Sequence, residues 1–203
     1  TVSVRSHPFR AWRWSRTADE PGVNFIYQSG VTQLLGFIVE KATGEKLSDY
    51  VSRKLWTPMH AEESALWSLD RKDGMEKAYC CFNSNARDFA RFGQLLLNNG
   101  QWDDRQLISP AYLAEATSPD TRLVYKDLGK PNHCYGFQYW ILDYKGMKIP
   151  YMRGILGQYV FTLPEKNAVI VRLGHKRSDT YTADQHYPDD INTWLDAAMD
   201  LLQ

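Results

Sequence analysis

Five histidines, three cysteines and 12 tyrosines are the side chains of this 203-residue sequence that could move protons, hold a metal or attack a carbonyl. Their spacing narrows the chemistry. His7, His60, His133, His175 and His186 stand far apart, with no His-Glu-x-x-His pair and no Cys-x-x-Cys beside them, so local spacing builds no zinc site. No Gly-x-Ser-x-Gly elbow supplies an exposed nucleophile. No P-loop or Gly-x-Gly-x-x-Gly opens a helix, the nearest approach being Gly154 and Gly157, so nucleotide binding by those routes is unsupported. The phenols remain. A tyrosine hydroxyl titrates near about 10 and becomes a usable base at neutral pH when a neighbouring cation favours the phenolate. Taken singly, each tyrosine reads first as a packed ring with its hydroxyl satisfied. Cys80, Cys81 and Cys134 cannot all pair within one chain, and adjacent cysteines seldom bond each other. Reduced structural thiols are therefore expected, which leans away from an oxidising compartment without naming one.

The elements that must position such groups fall into two regions. Pro21-Gly22 reads as a turn, and Val31, Leu34, Leu35, Ile38 and Ala42 then recur at three and four residues, the spacing of an amphipathic helix closed by Gly44. Leu47, Val51 and Leu55 repeat it up to Thr57-Pro58. A third helix carries Ala86, Phe89, Ala90, Gly93, Leu96 and Leu97 on one face, with Ser84 or Asn85 as its cap. Ser109-Pro110 opens a fourth. Beyond residue 133 the period shortens. Tyr135 to Leu142, Lys148 to Met152, Tyr159 to Leu163 and Ala168 to Leu173 are rich in β-branched and aromatic residues and read as strands, with Pro164 to Asn167 as a hairpin connection. Ile191, Trp194, Leu195, Ala198 and Leu202 then form a last amphipathic helix, expected to lie across that sheet. The division expected is an N-terminal segment 1–20, a helical region 21–130, and an antiparallel sheet with its terminal helix over 131–203, an α+β fold.

The 24 basic and 24 acidic residues cancel, removing the positive field that non-specific nucleic-acid binding needs, so a small-molecule ligand is expected and no nucleic acid. Arg5, Arg10, Arg13 and Arg16 precede every acidic residue, while Asp179, Asp184, Asp189, Asp190, Asp196 and Asp200 close the chain without a cation. These ends are expected to attract each other rather than to bind nucleic acid. No apolar run reaches the roughly 18 residues of a spanning helix, and Thr1 to Arg5 offer neither a signal core nor an initiator Met.

Several strings in order carry a resemblance. They are Pro21-Gly22-Val23-Asn24-Phe25-Ile26-Tyr27-Gln28-Ser29, Leu35-Gly36, Thr43-Gly44, Trp56-Thr57-Pro58-Met59, Ala86 to Gly93, Arg153-Gly154-Ile155-Leu156-Gly157-Gln158-Tyr159-Val160-Phe161, Leu163 to Lys166, and Val169 to Gly174. From residue 20 onward the sequence resembles the β-lactamase-related serine hydrolases, the superfamily of class C β-lactamases, family VIII esterases and 6-aminohexanoate-dimer hydrolases. The resemblance implies a β-lactamase/transpeptidase-like fold and an acyl-enzyme mechanism without cofactor or metal. Its Ser-x-x-Lys motif is not spelled here, since no Ser has Lys three positions on. Only 26 residues precede Tyr27, so the expectation is a partial fold. In that expectation the chain is the C-terminal portion of a serine hydrolase whose Ser and Lys come from an upstream segment of the same protein, and it is inactive by itself.

On the same resemblance Tyr27 takes the Tyr of the family's Tyr-x-Asn motif as a catalytic base. Ser29, in the Asn position, is read equally as a substrate contact or a helix cap. The segment around Arg153, Gly154, Ile155, Gly157 and Gln158 resembles the strand beside the nucleophile. There the Ile155 N–H would help hold the oxyanion, and Arg153, Gly154, Gly157 and Gln158 would contact substrate. For the glycines a tight bend is the competing reading. Neither Lys148 nor Arg153 stands in the Lys-Thr-Gly pattern that binds a β-lactam carboxylate, so an ester or amide substrate is favoured. Ala86–Gly93 reads as structural, with Asp88 paired to Arg87 or Arg91. Tyr135, Phe137, Tyr139, Trp140 and Tyr144 read as core and sheet surface before pocket lining. The competing function is a non-catalytic peptide- or peptidoglycan-binding protein on the same scaffold.

Overall fold

The computed structural model describes residues 19–182 and 186–202. The N-terminal arginines, His7 and Asp184 lie outside them, so the expected attraction between the chain ends is not addressed.

A four-stranded antiparallel meander organises the C-terminal half. β8 (Trp140–Tyr144), β9 (Met147–Gly154), β10 (Gln158–Leu163) and β11 (Ala168–Arg172) lie in the order β11-β10-β9-β8. The register runs Trp140↔Tyr151, Phe161↔Tyr151 and Phe161↔Ile170, which aligns large side chains on one face. Because alternate residues of β10 point opposite ways, Tyr159, Phe161 and Leu163 enter one core with Ile191 and Leu195 of α5 (Asp190–Leu201). Val160 turns to the other face and meets α3 (Ala86–Leu97). Contact there is close, since a Cβ on Gly93 would stand 2.5 Å from Val169 Cγ1.

The region read as helical is more mixed than its periodicity implied. α1 (Ser29–Thr43) ends at Gly44, in the left-handed region at φ 73°. α2 (Leu47–Val51) runs on into a π-helical turn, Ser52–Trp56. α3 is capped by Asn85, whose side chain accepts from the Asp88 amide, and α4 (Pro110–Ala116) by Ser109 with Pro110 in its first turn. Short strands interleave with these: β1 (Asn24–Phe25), β2 (Leu66–Trp67), β3 (Phe82–Asn83), β4 (Gln101–Trp102), β5 (Arg105–Gln106), β6 (Val124–Tyr125) and β7 (Lys130–Pro131). Two-residue strands escape a period-2 search because they contain no full repeat. β1 pairs in parallel with β6, Asn24↔Val124 and Phe25↔Tyr125, carrying the start of α1 towards the C-terminal half.

Three local readings need correction. Tyr135 to Tyr139 do not belong to a strand: the ladder begins at Trp140, and Gln138 sits at φ 63°. A Cβ on Gly136 would fall 2.0 Å from the Ala116 carbonyl oxygen, so the loop bends where α4 ends. Second, Ser29 is the first helical residue rather than the cap, which falls on Gln28. Third, Cys80 and Cys81 are bonded to each other, while Cys134 is a buried free thiol. That bridge removes the ground for leaning away from an oxidising compartment. No helix among the described residues is long and apolar enough to cross a membrane.

Candidate functional site

Tyr27 stands between β1 and α1, and two aromatic rings hold it. Phe25 stacks on Tyr135, with centroids 4.8 Å apart and planes at 19°. The Tyr27 ring meets the edge of Tyr135 at 5.6 Å and lies 5.2 Å from Trp140. Tyr135 and Trp140 close the cluster at 4.8 Å. Thr32 in the first turn of α1 donates to Gln138 Oε1 at 3.2 Å, tying the helix to the loop that carries Tyr135. The Tyr27 side of this cluster is open, at 44% exposure against 7% for Tyr135. Of the two phenols only Tyr27 can meet a solute.

Arg153 supplies the charge. Its Cζ lies 3.5 Å from the Trp140 ring centroid, and its Nη1 donates to the His186 carbonyl at 2.8 Å and to the Tyr151 hydroxyl at 3.4 Å. Among the described residues no carboxylate pairs with it. Lys148 differs, being held by Asp143 at 2.7 Å. The half-buried guanidinium therefore projects its field over a set of neutral groups. Burial pushes Tyr135 well above the usual phenol range, and the Tyr27 charge pushes the same way, while Arg153 pulls it back. Burial carries Tyr125 to about 12 and Cys134 to about 11, each opposed by Arg153. Burial, with Arg153 assisting, holds His186 below its ordinary value. Negative charge appearing on this face is favoured by that cation, while the buried hydroxyls stay protonated.

The Ile155 segment is a reversal. β9 ends at Gly154, Ile155–Gly157 form a 3-10 turn with Leu156 at φ 58°, and β10 starts at Gln158. The strand reading is corrected to the tight bend. Its glycine requirement falls on Gly157, at φ 83°, where a Cβ would meet Arg172 Nη1 at 1.7 Å. Arg172 donates from Nη1 to the Gly157 carbonyl at 2.6 Å and from Nη2 to that of Lys176 at 2.8 Å. Gln158 accepts from the Gly174 amide and donates to the Gly174 carbonyl, so both ends of its amide support the bend. Ile155 lies just past the last β9–β10 pair, Gln158↔Gly154, and is 79% exposed. Tyr27 and Arg153 thus both contact the Trp140 ring. Gly154 and Ile155 follow Arg153 along the chain, Ser29 lies exposed at the start of α1, and Gln158 and Gly157 sit behind the bend.

Sequence reasoning placed Trp140 with the core and gave Gln138 and Arg172 no part. The platform role of Trp140 had no local signal, since its partners lie far away along the chain. The Ala86–Gly93 segment forms a structural node. Burial opposes the charge of Asp88, but the Glu62 and Glu63 amides, Asn85 and Arg91 outweigh it and hold the carboxyl below its ordinary value. The bonds are 2.8 Å from Glu62 N, 3.1 Å from Glu63 N, 2.8 Å from Asn85 Nδ2 and 3.2 Å from Arg91 Nε. No group of three or more metal-ligating side chains occurs among the described residues.

A family model described as Beta-lactamase matches residues 9–191. The curated 6-aminohexanoate-dimer hydrolase of Paenarthrobacter ureafaciens is 28% identical over 153 residues, 73% of this chain and 38% of that protein. A Bacillus anthracis structure provisionally named a 6-aminohexanoate-dimer hydrolase superposes with a TM-score of 0.74 at 27% identity, covering 91% of this chain and 45% of that one. A Mycobacterium bovis beta-lactamase shares the fold at a TM-score of 0.66 and 19% identity, over 92% of this chain and 68% of that one. The chain thus spans less than half the length of the first two. These matches correct the expectation of a partial fold that is the C-terminal portion of a hydrolase completed by an upstream segment. The likeness occupies the chain almost from end to end, entering at residue 9 and not at residue 20. That expectation arose because no Ser has Lys three positions on and only 26 residues precede Tyr27. The family model's match over residues 9–191 shows that the chain belongs to the beta-lactamase family.

Proposed function

We propose that the protein cleaves ester or amide bonds of small molecules by acyl transfer, with Tyr27 moving the proton at the attacking hydroxyl. The observation supporting this most directly is the solvent-facing phenol of Tyr27 against Trp140, whose ring also carries the Arg153 guanidinium. A fixed cation near the reacting atoms favours the oxyanion of a tetrahedral intermediate. In this reading the exposed bend offers the Ile155 N–H to that oxyanion. Ser29, Arg153 and Gly154 border the substrate, and Gly157 and Gln158 keep the bend in shape. No residue is assigned as nucleophile, and acyl transfer between a hydroxyl and a carbonyl calls for no cofactor.

The name of the Paenarthrobacter relative makes a linear ω-amino amide the first substrate to try, beside short p-nitrophenyl esters. Binding is read from tryptophan fluorescence, turnover from released product. The expected result is a fluorescence change on binding that Tyr27→Phe preserves, with turnover by that variant falling about 100-fold or more. Equal turnover by protein and variant, or no binding of either ligand class, overturns the proposal.

A further inference from the structure

The Cys80–Cys81 bridge has no part in the proposed reaction. A disulfide stabilises a fold chiefly by shortening the loops open to the unfolded chain, an effect that grows with the number of residues enclosed. A bond between sequence neighbours encloses almost none, so it does not serve as a global staple. What it restrains is local. Cys81 takes a left-handed backbone at φ 69°, and both cysteine carbonyls are in use. That of Cys80 accepts from Trp67 Nε1 at 3.0 Å, and that of Cys81 from the Ser68 amide at 3.1 Å and from Asn83 Nδ2 at 2.8 Å. The same stretch docks on α1. Gln33 donates to the Glu76 carbonyl at 3.0 Å and accepts from the Ala78 amide at 2.9 Å, and a Cβ on Gly36 would stand 2.7 Å from Ala78 Cβ.

Access to the two kinds of cysteine differs. Cys81 is exposed, whereas Cys134 is buried at 4% exposure and burial pushes its thiol up to about 11. A small thiol in solution therefore reaches the bridge and not the third cysteine.

We propose that Cys80–Cys81 is a reversible thiol-exchange site, opened by low-molecular-weight thiols, whose state sets how loop 77–83 is held against α1. A thiolate attacks the sulfur of Cys81, the bond between the two Sγ atoms breaks, and its electron pair leaves on Cys80, which takes a proton. A second thiolate attacks the sulfur of the first thiol in the resulting mixed disulfide. This frees Cys81, which is then protonated, and releases the oxidised thiol. Two thiols are oxidised to one disulfide while the protein disulfide is reduced to two thiols. With the bridge open, the 80–81 peptide is released from the conformation that aims its two carbonyls at Trp67, Ser68 and Asn83.

The test uses the full chain, dithiothreitol as reductant and glutathione disulfide as oxidant. Iodoacetamide labelling with peptide mapping reports thiols, and hydrogen exchange reports the loop. In air-equilibrated protein neither Cys80 nor Cys81 takes label. After reduction both do, Cys134 remains unlabelled, and exchange at the Ala78 and Ser68 amides rises roughly tenfold, returning on reoxidation. Cys81→Ser reproduces the reduced pattern, and if that variant fails to fold the wild-type reduction cycle decides alone. Free thiols at both positions before reduction, unchanged exchange at both amides after it, or loss of protection spreading equally into the β9–β10 ladder overturns the proposal.

Discussion

Two charged centres of this molecule, one wholly buried and one half-buried, are built on opposite plans. At the start of α3, Asp88 is wholly buried and its oxygens are met by two backbone amides, Asn85 and Arg91, while Arg91 also reaches Glu62 at 2.9 Å and the Met59 carbonyl at 3.1 Å. At the Tyr27 face, Arg153 meets one ring face, one carbonyl and one hydroxyl, with no carboxylate partner among the described residues. The first arrangement is saturated, so its charges serve the fold. The second leaves a cation with no carboxylate partner among the described residues beside an open phenol, where it can meet an anion. Saturation against spare capacity separates a structural ion cluster from a reactive one more cleanly than the residue types do.

The largest way to break the comparison is Asp88→Ala, which leaves Arg91 and two amides facing a void. A loss of about 3 kcal/mol or more in urea unfolding is expected, with little change in ligand binding by the surviving folded protein. Asp88 also contributes to the acid side of the stability curve, beside other lowered carboxyls such as Glu76 and Asp143. Its folded value lies below its unfolded one, so its contribution is complete above about pH 4 and declines as pH falls through the folded value. Asp88→Asn flattens that limb, which unfolding midpoints across acid pH would show. Next comes Gly93→Ala, whose new methyl would press on Val169 and Val160 where α3 meets the sheet. Urea unfolding should give a cost of about 1–3 kcal/mol. Smallest in stability is Arg153→Leu, about 1 kcal/mol from the lost ring contact. Its main effect should be functional, weaker binding of an anionic ester with that of a neutral ester nearly kept. If Arg153→Leu unfolded the protein as severely as Asp88→Ala while leaving binding intact, the contrast between the two centres would disappear.

The parts legible in the sequence were those decided by near neighbours. Asn85, Ser109-Pro110 and Gly44 mark helix ends because capping is settled within a turn, and Tyr159 to Leu163 show a run of aromatic and β-branched residues because both faces of β10 are covered by packed elements. The parts that were not legible are decided from a distance. Tyr135 to Tyr139 have strand composition, yet the approach of Gly136 to the Ala116 carbonyl and the left-handed Gln138 turn them into a loop. The Ile155 segment reads as extended until Arg172 and Gly174 fold it over. Within the site, Tyr27, Ser29 and Arg153 could be singled out through a family resemblance. Trp140, which relates the first to the last, could not, because stacking across so many residues leaves no local mark. The adjacent cysteines show the reverse failure, a local rule giving the wrong oxidation state.

The parallel pairing of Asn24 and Phe25 with Val124 and Tyr125 has a consequence for biosynthesis. Strands about a hundred residues apart close a long loop before any contact repays the lost entropy, so this pairing forms late. During translation Tyr27 emerges early, but its ring has no wall until Trp140 leaves the ribosome. A pause or truncation anywhere between them yields a chain that can wind its helices and still present the phenol to nothing.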